Sequence, residues 1–262
     1  VERGTYTDEQ LEEMSIWKQV VKGQHNRERK RKGRVIGFRN GFLLAEELRT
    51  WDKFHFVYNC DFRGRIYCAT AGLSPQGADH AKGLLRFAKG VKLGKSGLDW
   101  LAIQGANTYG EDKLTYKDRI KWVKDNEVLI RAIVEDPVSN LLWAEADKPY
   151  QFLAFCFDWS DCDYGRNPNA KSYIPVGLDG SCNGLQHFSA MLKDEVGAKA
   201  TNLTNCKKPE DIYAEVAQVV MQKLRESEDP LAKVWLQVGV TRKGTKRSVM
   251  TLPYGATMQS SR

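Results

Sequence analysis

Residues 241–255, T-R-K-G-T-K-R-S-V-M-T-L-P-Y-G, constrain this chain more than any other stretch, because they read as a helix with a fixed end. At 3.6 residues per turn, Arg242 and Lys246 stand in i,i+4 relation and project from one face as a cationic surface. Pro253 deletes a helical hydrogen bond, clashes with the carbonyl of Val249 and turns Leu252 away from helical angles. The helix should therefore kink or stop there, leaving Tyr254 and Gly255 at its rim. A phenol, donor and acceptor at once, then stands near whatever anion the two cations hold. The same residues also read as a solvated basic helix ending at a Pro-Tyr-Gly turn.

A second segment, residues 174–192, I-P-V-G-L-D-G-S-C-N-G-L-Q-H-F-S-A-M-L, reads as strand, tight turn and helix. Ile174, Val176 and Leu178 alternate, Asp179-Gly180 breaks the pattern, and Leu185, Phe188 and Leu192 recur at helical spacing. Asp179 is thus expected at the end of a buried strand, where a carboxylate can be held rigidly for a hard cation such as Mg²⁺. Gly180 would let its own carbonyl join the coordination. The competing reading makes Asp179 a cap for the helix that follows.

Two further stretches stand upstream: Y-N-C-D-F-R-G-R-I-Y at 58–67 and S-P-Q-G-A-D-H-A-K-G-L-L at 74–85. In an extended segment Arg63, Arg65 and Tyr67 share one side, and Gly64 admits a close backbone. Two guanidiniums there suit nucleic-acid phosphates, or else mark an edge strand that discourages pairing. Lys82 and Lys89 read as plain surface charge.

Together, the D-G-S-C-N-G-L-Q-H-F-S-A-M run, the R-x-x-x-K-x₇-Y-G pattern and the D-F-R-G-R element resemble motifs of the single-subunit DNA-directed RNA polymerases of phages, mitochondria and chloroplasts. The resemblance covers roughly residues 50–262 in the right order. It implies an α+β, mostly helical fold: part of a right-hand polymerase, with the first part of a palm and the start of the fingers. Residues 1–51 would be a basic helical segment leading into the palm, 52–195 the palm with motif A, and 196–262 the fingers with motif B. It implies template-directed nucleotidyl transfer from ribonucleoside triphosphates to an RNA 3′ end, with two metal ions clamping the attacking and leaving oxygens.

Carried over by position, Asp179 and Gly180 would bind Mg²⁺, and Lys246 would hold the triphosphate and protonate the departing pyrophosphate. Arg242 would grip phosphates as a fork. Tyr254 and Gly255 would border the ribose, with Tyr254 favouring a 2′-hydroxyl, because the wrong sugar leaves a polar group unpaired. Arg63, Arg65, Ser181, Gly184 and Arg247 would face nucleic acid. The implied partners are a DNA template, an RNA transcript and the remaining C-terminal polymerase portion. The implied location is the cytoplasm of an infected bacterium or, alternatively, a mitochondrion.

One departure bears on activity. The family's second catalytic carboxylate follows a histidine, and none of His25, His55, His80 or His187 precedes an aspartate. The chain is therefore expected to be an internal fragment, inactive alone. A subunit of a split polymerase or a non-catalytic nucleic-acid-binding module stays open, as does a family A DNA polymerase, which shares the R-x-x-x-K-x₇-Y-G helix.

A net charge of +7 suits a polyanion partner. The cations concentrate at 25–34, H-N-R-E-R-K-R-K-G-R, which attracts nucleic acid by counterion release or simply forms a solvated helix face. Six cysteines without C-x-x-C or zinc spacing read as reduced thiols, and the apolar run around Cys156 is too short to span a bilayer. Thr7 opens a capping box before a helix expected to end near Gly23, with Leu11, Met14, Trp17 and Val21 as its stripe. A second helix is expected to carry the basic run to about Arg49. Residues 158–169 read as a loop-rich insertion, and Pro209 as the first turn of a helix through Ile212 and Leu224.

Overall fold

The computed structural model describes residues 6–62, 64–205 and 209–261. It is mostly helical, with two small two-stranded sheets. The chain divides into two compact units, Val1–Asp112 with Ile120–Val176, and Lys113–Arg119 with Gly177–Arg262.

In the first unit, the Thr7 hydroxyl accepts from the Gln10 amide while the Gln10 side chain accepts from the Thr7 amide. This capping box opens α1 (Asp8–Leu48), a single helix of 41 residues. The expected break near Gly23 does not occur, so the two-helix reading is corrected. A lone glycine costs about 1 kcal/mol against alanine without stopping a helix, and no proline lies between Thr7 and Leu48. The Leu11 and Trp17 side chains stay exposed along the helix. Burial comes at Gly41, and Phe38 sets its ring 5.1 Å from that of His80 and 5.9 Å from that of Tyr150.

Next come β1 (Tyr58–Cys60) and β2 (Ile66–Cys68), an antiparallel hairpin in which Asn59 faces Tyr67. The extended reading of the D-F-R-G-R element is corrected here. Its centre is the hairpin turn, closed by Asp61 N–H to Arg65 O and by the Arg65 amide to the Asp61 carboxylate, with Gly64 at φ +79. Arg63 lies outside the described residues. The Gln76 side chain pins this hairpin by donating to Ile66 O and accepting from Cys68 N.

The helix α2 (Asp79–Gly83) leads to β3 (Val91–Lys92), α3 (Gly94–Tyr109), α4 (Tyr116–Asp125), α5 (Glu127–Glu135), α6 (Pro149–Asp161) and β4 (Lys171–Ser172). Asp79 accepts from the Tyr150 and Gln151 amides, supplying acceptors to orphan donors of the first turn of α6. Strands β3 and β4 pair antiparallel, Val91 with Ser172. The insertion expected at 158–169 begins inside α6; only from Cys162 does the chain turn, with positive φ at Asp163, Tyr164 and Gly165.

The core of this unit joins Leu101, Ala102 and Ala106 of α3 to Val123, Ile130, Ile133 and the α6 face of Phe152, Phe155 and Trp159. Phe152, Phe155 and Trp159 stack at successive 5.8 Å centroid separations. A Cβ on Gly105 would meet the Phe155 ring at 2.2 Å, so the crossing of α3 and α6 requires glycine there.

The second unit holds α7 (Asn183–Leu192), α8 (Glu195–Ala200), α9 (Ile212–Glu226), α10 (Pro230–Val238) and α11 (Arg242–Thr251). The strand expected over 174–178 is absent: among the described residues, this stretch joins neither sheet. A strand exists only through a ladder partner, Pro175 has no amide to give, and the pairing is taken earlier, at 171–172. Asp179 is accordingly exposed, not at the end of a buried strand. Pro209 precedes α9 rather than opening it, because Asp211 caps that helix with bonds from the Tyr213 and Ala214 amides.

Candidate functional site

Asp179, Arg242, Lys246 and Tyr254 all belong to the second unit. The Asp179 turn comes first. One carboxylate oxygen accepts the Gly180 amide at 2.9 Å, and the N-cap position of α7 falls to Cys182, in the left-handed region at φ 58 and without a side-chain capping bond. Asp179 is therefore no helix cap. A Cβ on Gly180 would lie 2.0 Å from the Asn183 side-chain oxygen, so a larger residue there would have to displace that side chain. An exposed carboxylate beside a carbonyl is a pair of hard oxygen donors, a set that suits Mg²⁺ when water and substrate supply the rest. Among the described residues, no cluster of three His, Cys, Asp or Glu side chains stands ready to hold a metal.

Thr241 opens α11 by accepting the Gly244 amide. Arg242 and Lys246 then stand on one exposed face, and both approach the Tyr213 ring of α9, at 5.4 Å and 5.8 Å from its centroid. Thr245, buried between them in sequence, donates to Tyr213 O at 2.9 Å and fastens α11 to α9. Burial, and then contact with Cys182, pushes the Tyr213 phenol up to about 12. A neutral ring thus reaches from the two cations to the D-G-S-C turn. The Cys182 thiol also lies 4.0 Å from Val249 O on α11.

Arg242 is already engaged. Its Nε donates to Asp211, the residue capping α9. Burial pushes the Asp211 carboxyl up, but the Arg242 guanidinium and the Ala214 amide outweigh it and hold the group below the usual carboxylate range.

Beyond α11, residues Leu252–Tyr254 tighten into a 3₁₀ turn and Gly255 adopts φ 83, the stop that Pro253 predicts. Tyr254 is 63 % exposed. Its position is set by Gly184: a Cβ there would fall 2.7 Å from the Pro253 Cβ and 3.3 Å from a Tyr254 ring carbon. The helix that follows Asp179 thus abuts the turn carrying Tyr254.

Ser181 accepts from the Asn202 amide at 3.1 Å, and Arg247 is exposed on α11. Arg65 belongs to the other unit, at the β1–β2 turn. Sequence reasoning missed Asp211, Tyr213 and Asn202. Asp211 had a local signal, a P-E-D-I pattern ahead of an apolar helix. Its reach to Arg242, 31 residues on, had none.

A protein-family model described as DNA-dependent RNA polymerase matches residues 91–262. The chain is 39 % identical to T7 RNA polymerase of Escherichia phage T7, over 94 % of this chain and 31 % of that protein. It is also 39 % identical to a DNA-directed RNA polymerase of Enterobacteria phage T3, over 92 % of this chain and 30 % of the relative. A mitochondrial DNA-directed RNA polymerase of Neurospora crassa is 40 % identical over 80 % of this chain and 15 % of its own length. The chain thus spans less than a third of the length of these relatives.

Proposed function

We propose, because this chain belongs to the DNA-dependent RNA polymerase family, that its second unit carries the nucleotide-binding part of a template-directed RNA polymerase. The carrying observation is the convergence within one unit of the Asp179 turn, the Arg242–Lys246 face and Tyr254. In this reading Lys246 and the terminal nitrogens of Arg242 bind the triphosphate, and Lys246 gives a proton to the leaving pyrophosphate. Tyr254, with Gly255 freeing the chain behind it, reads the ribose 2′-hydroxyl. Asp179 and the Gly180 carbonyl hold Mg²⁺. The ion, when bound, supplies positive charge to the reacting phosphate oxygens, and the partner carboxylate comes from outside these 262 residues.

Residues 52–195 form the first part of a palm and 196–262 the start of the fingers. Arg63, Arg65, Ser181, Gly184 and Arg247 line the nucleic acid, and the exposed cations of α1 add a sequence-independent attraction. Substrates are ribonucleoside triphosphates, and partners are the template, the transcript and the rest of the polymerase. The setting is a phage-infected bacterium or an organelle.

The test is RNA primer extension by a phage relative in which this chain replaces the matching third. Mg²⁺-dependent extension is expected, lost in Asp179→Asn and favouring ribonucleotides over deoxyribonucleotides. Equal extension by Asp179→Asn would remove the carboxylate from the chemistry, and indifference to the sugar would remove Tyr254 from selection.

A further inference from the structure

Arg242 sits on an exposed helix face, yet its guanidinium is held on two sides. Asp211 accepts from Nε, and the Tyr213 ring lies with its centroid 5.4 Å from the guanidinium carbon. The carboxylate is itself fixed, since its other oxygen takes the Tyr213 and Ala214 amides at 3.1 Å and 3.3 Å. The preceding residue is fixed as well. The Glu210 amide donates to Asn202 Oδ1 at 2.8 Å, while Asn202 Nδ2 donates to Glu210 O and to Ser181 Oγ. Ser181 is two residues past Asp179, so a short series of hydrogen bonds runs from the Asp179 turn to Arg242.

We propose that Asp211 is a positioning residue for Arg242, holding the guanidinium by its Nε edge so that the two terminal nitrogens face the triphosphate. This inference rests on the nucleotide-binding reading of α11. An arginine fork has five N–H donors, and the edge Asp211 takes supplies one of them. The planar end that suits a phosphate stays available. A free arginine loses close to its full rotamer freedom on gripping a phosphate, whereas one already held at Nε has lost much of it before the ligand arrives. The carboxylate also lowers the local positive potential, so its net effect on an anion has two opposing parts. For Asp211 to aid the grip, orientation must outweigh charge, and the sign of the Asp211→Ser effect decides between them.

The experiment is a calorimetric titration of the 262-residue chain with ATP and Mg²⁺, using wild type, Arg242→Gln, Asp211→Ser and the double variant. Serine keeps a side-chain acceptor at the cap of α9 but is too short to hold Arg242. Arg242→Gln should weaken ATP binding about tenfold, the effect of a lost charge-assisted bond. Asp211→Ser should weaken it severalfold in the wild-type background and have no further effect beside Arg242→Gln. Unchanged or tighter binding by Asp211→Ser would make the carboxylate a competitor of the phosphate and overturn the proposal. An equal loss in both backgrounds would reduce Asp211 to a helix cap and overturn it too. No loss on Arg242→Gln would instead defeat the nucleotide-binding reading of Arg242. The Arg242 Nε–H proton resonance reports the clasp without any ligand: slow exchange is expected in wild type and fast exchange in Asp211→Ser. Fast exchange in wild type would overturn the proposal outright.

Discussion

Gly184 shows how much a single missing methyl group can decide. Its absent Cβ leaves room for Pro253 and Tyr254. Gly184→Ala should cost about 1–3 kcal/mol, the range for overpacking a tight contact, unless the Tyr254 turn moves away. Thermal unfolding gives the cost, and a change in Tyr254 fluorescence quenching at matched stability reports the displacement. Unchanged melting and fluorescence would show the contact to be slack. The cysteines give a second prediction at this scale. Burial pushes the Cys156 thiol far up and, with Asp158 and Asp161 nearby, pushes Cys162 up to about 11. Cys60 is exposed. Maleimide at neutral pH should label Cys60 in the native chain and reach Cys156 and Cys162 only after unfolding; rapid native labelling of Cys156 would contradict the packed α6 face. The helical pair Arg242 and Lys246 and the stop at Pro253 were legible in the sequence, because helix period and proline chemistry act within a few residues. Asp211 was not legible as Arg242's partner, because that bond depends on how α9 packs on α11.

The elements divide the same way. The Thr7 capping box and α7 follow from local pattern, whereas the strand expected before Asp179 did not form. An alternating run says which face would be buried, but only a neighbouring strand supplies hydrogen bonds, and alternation carries no record of that neighbour. In α1 the signal for a break at Gly23 was a propensity of about 1 kcal/mol set against the hydrogen bonds of a long helix. Nothing lies within 4 Å of a Cβ built on Gly23. Gly23→Ala should therefore raise helicity at 222 nm and stabilise α1 by about 0.5–1 kcal/mol. A loss of helicity would mean that the glycine serves a bend.

At the scale of the molecule, the two units differ in what they bury. The first has Phe152, Phe155, Leu101, Ile130 and Ile133 fully covered, while among the described residues the second covers mainly alanines and Tyr213. Less apolar burial means a smaller stabilising contribution per residue. Amide exchange should therefore be slowest in α3 and α6 and faster in α7 and α10, and the reverse order would contradict this packing. Acid should act on both units. Arg166 and then Arg131 hold the Glu127 carboxyl below its ordinary value in the first unit, and Asp211 is held low in the second. Groups with lowered folded-state values contribute stability above their unfolded values near 4, and lose it as pH falls through the folded ones. The melting temperature should hold from pH 7 to 5 and drop below pH 4, with a smaller drop in Glu127→Gln; an equal drop would exclude that ion pair as a cause.

At about 1.5 Å per residue, α1 is a rod roughly 60 Å long. Its buried residue, Gly41, and its ring contacts at Phe38 lie in its last quarter. Mechanically it is a cantilever: a small rotation at the clamped end sweeps the basic run at 25–34 through an arc many times larger. Substitutions at Phe38, whose ring offers a polyanion no charge, would then redirect every cation on the rod at once.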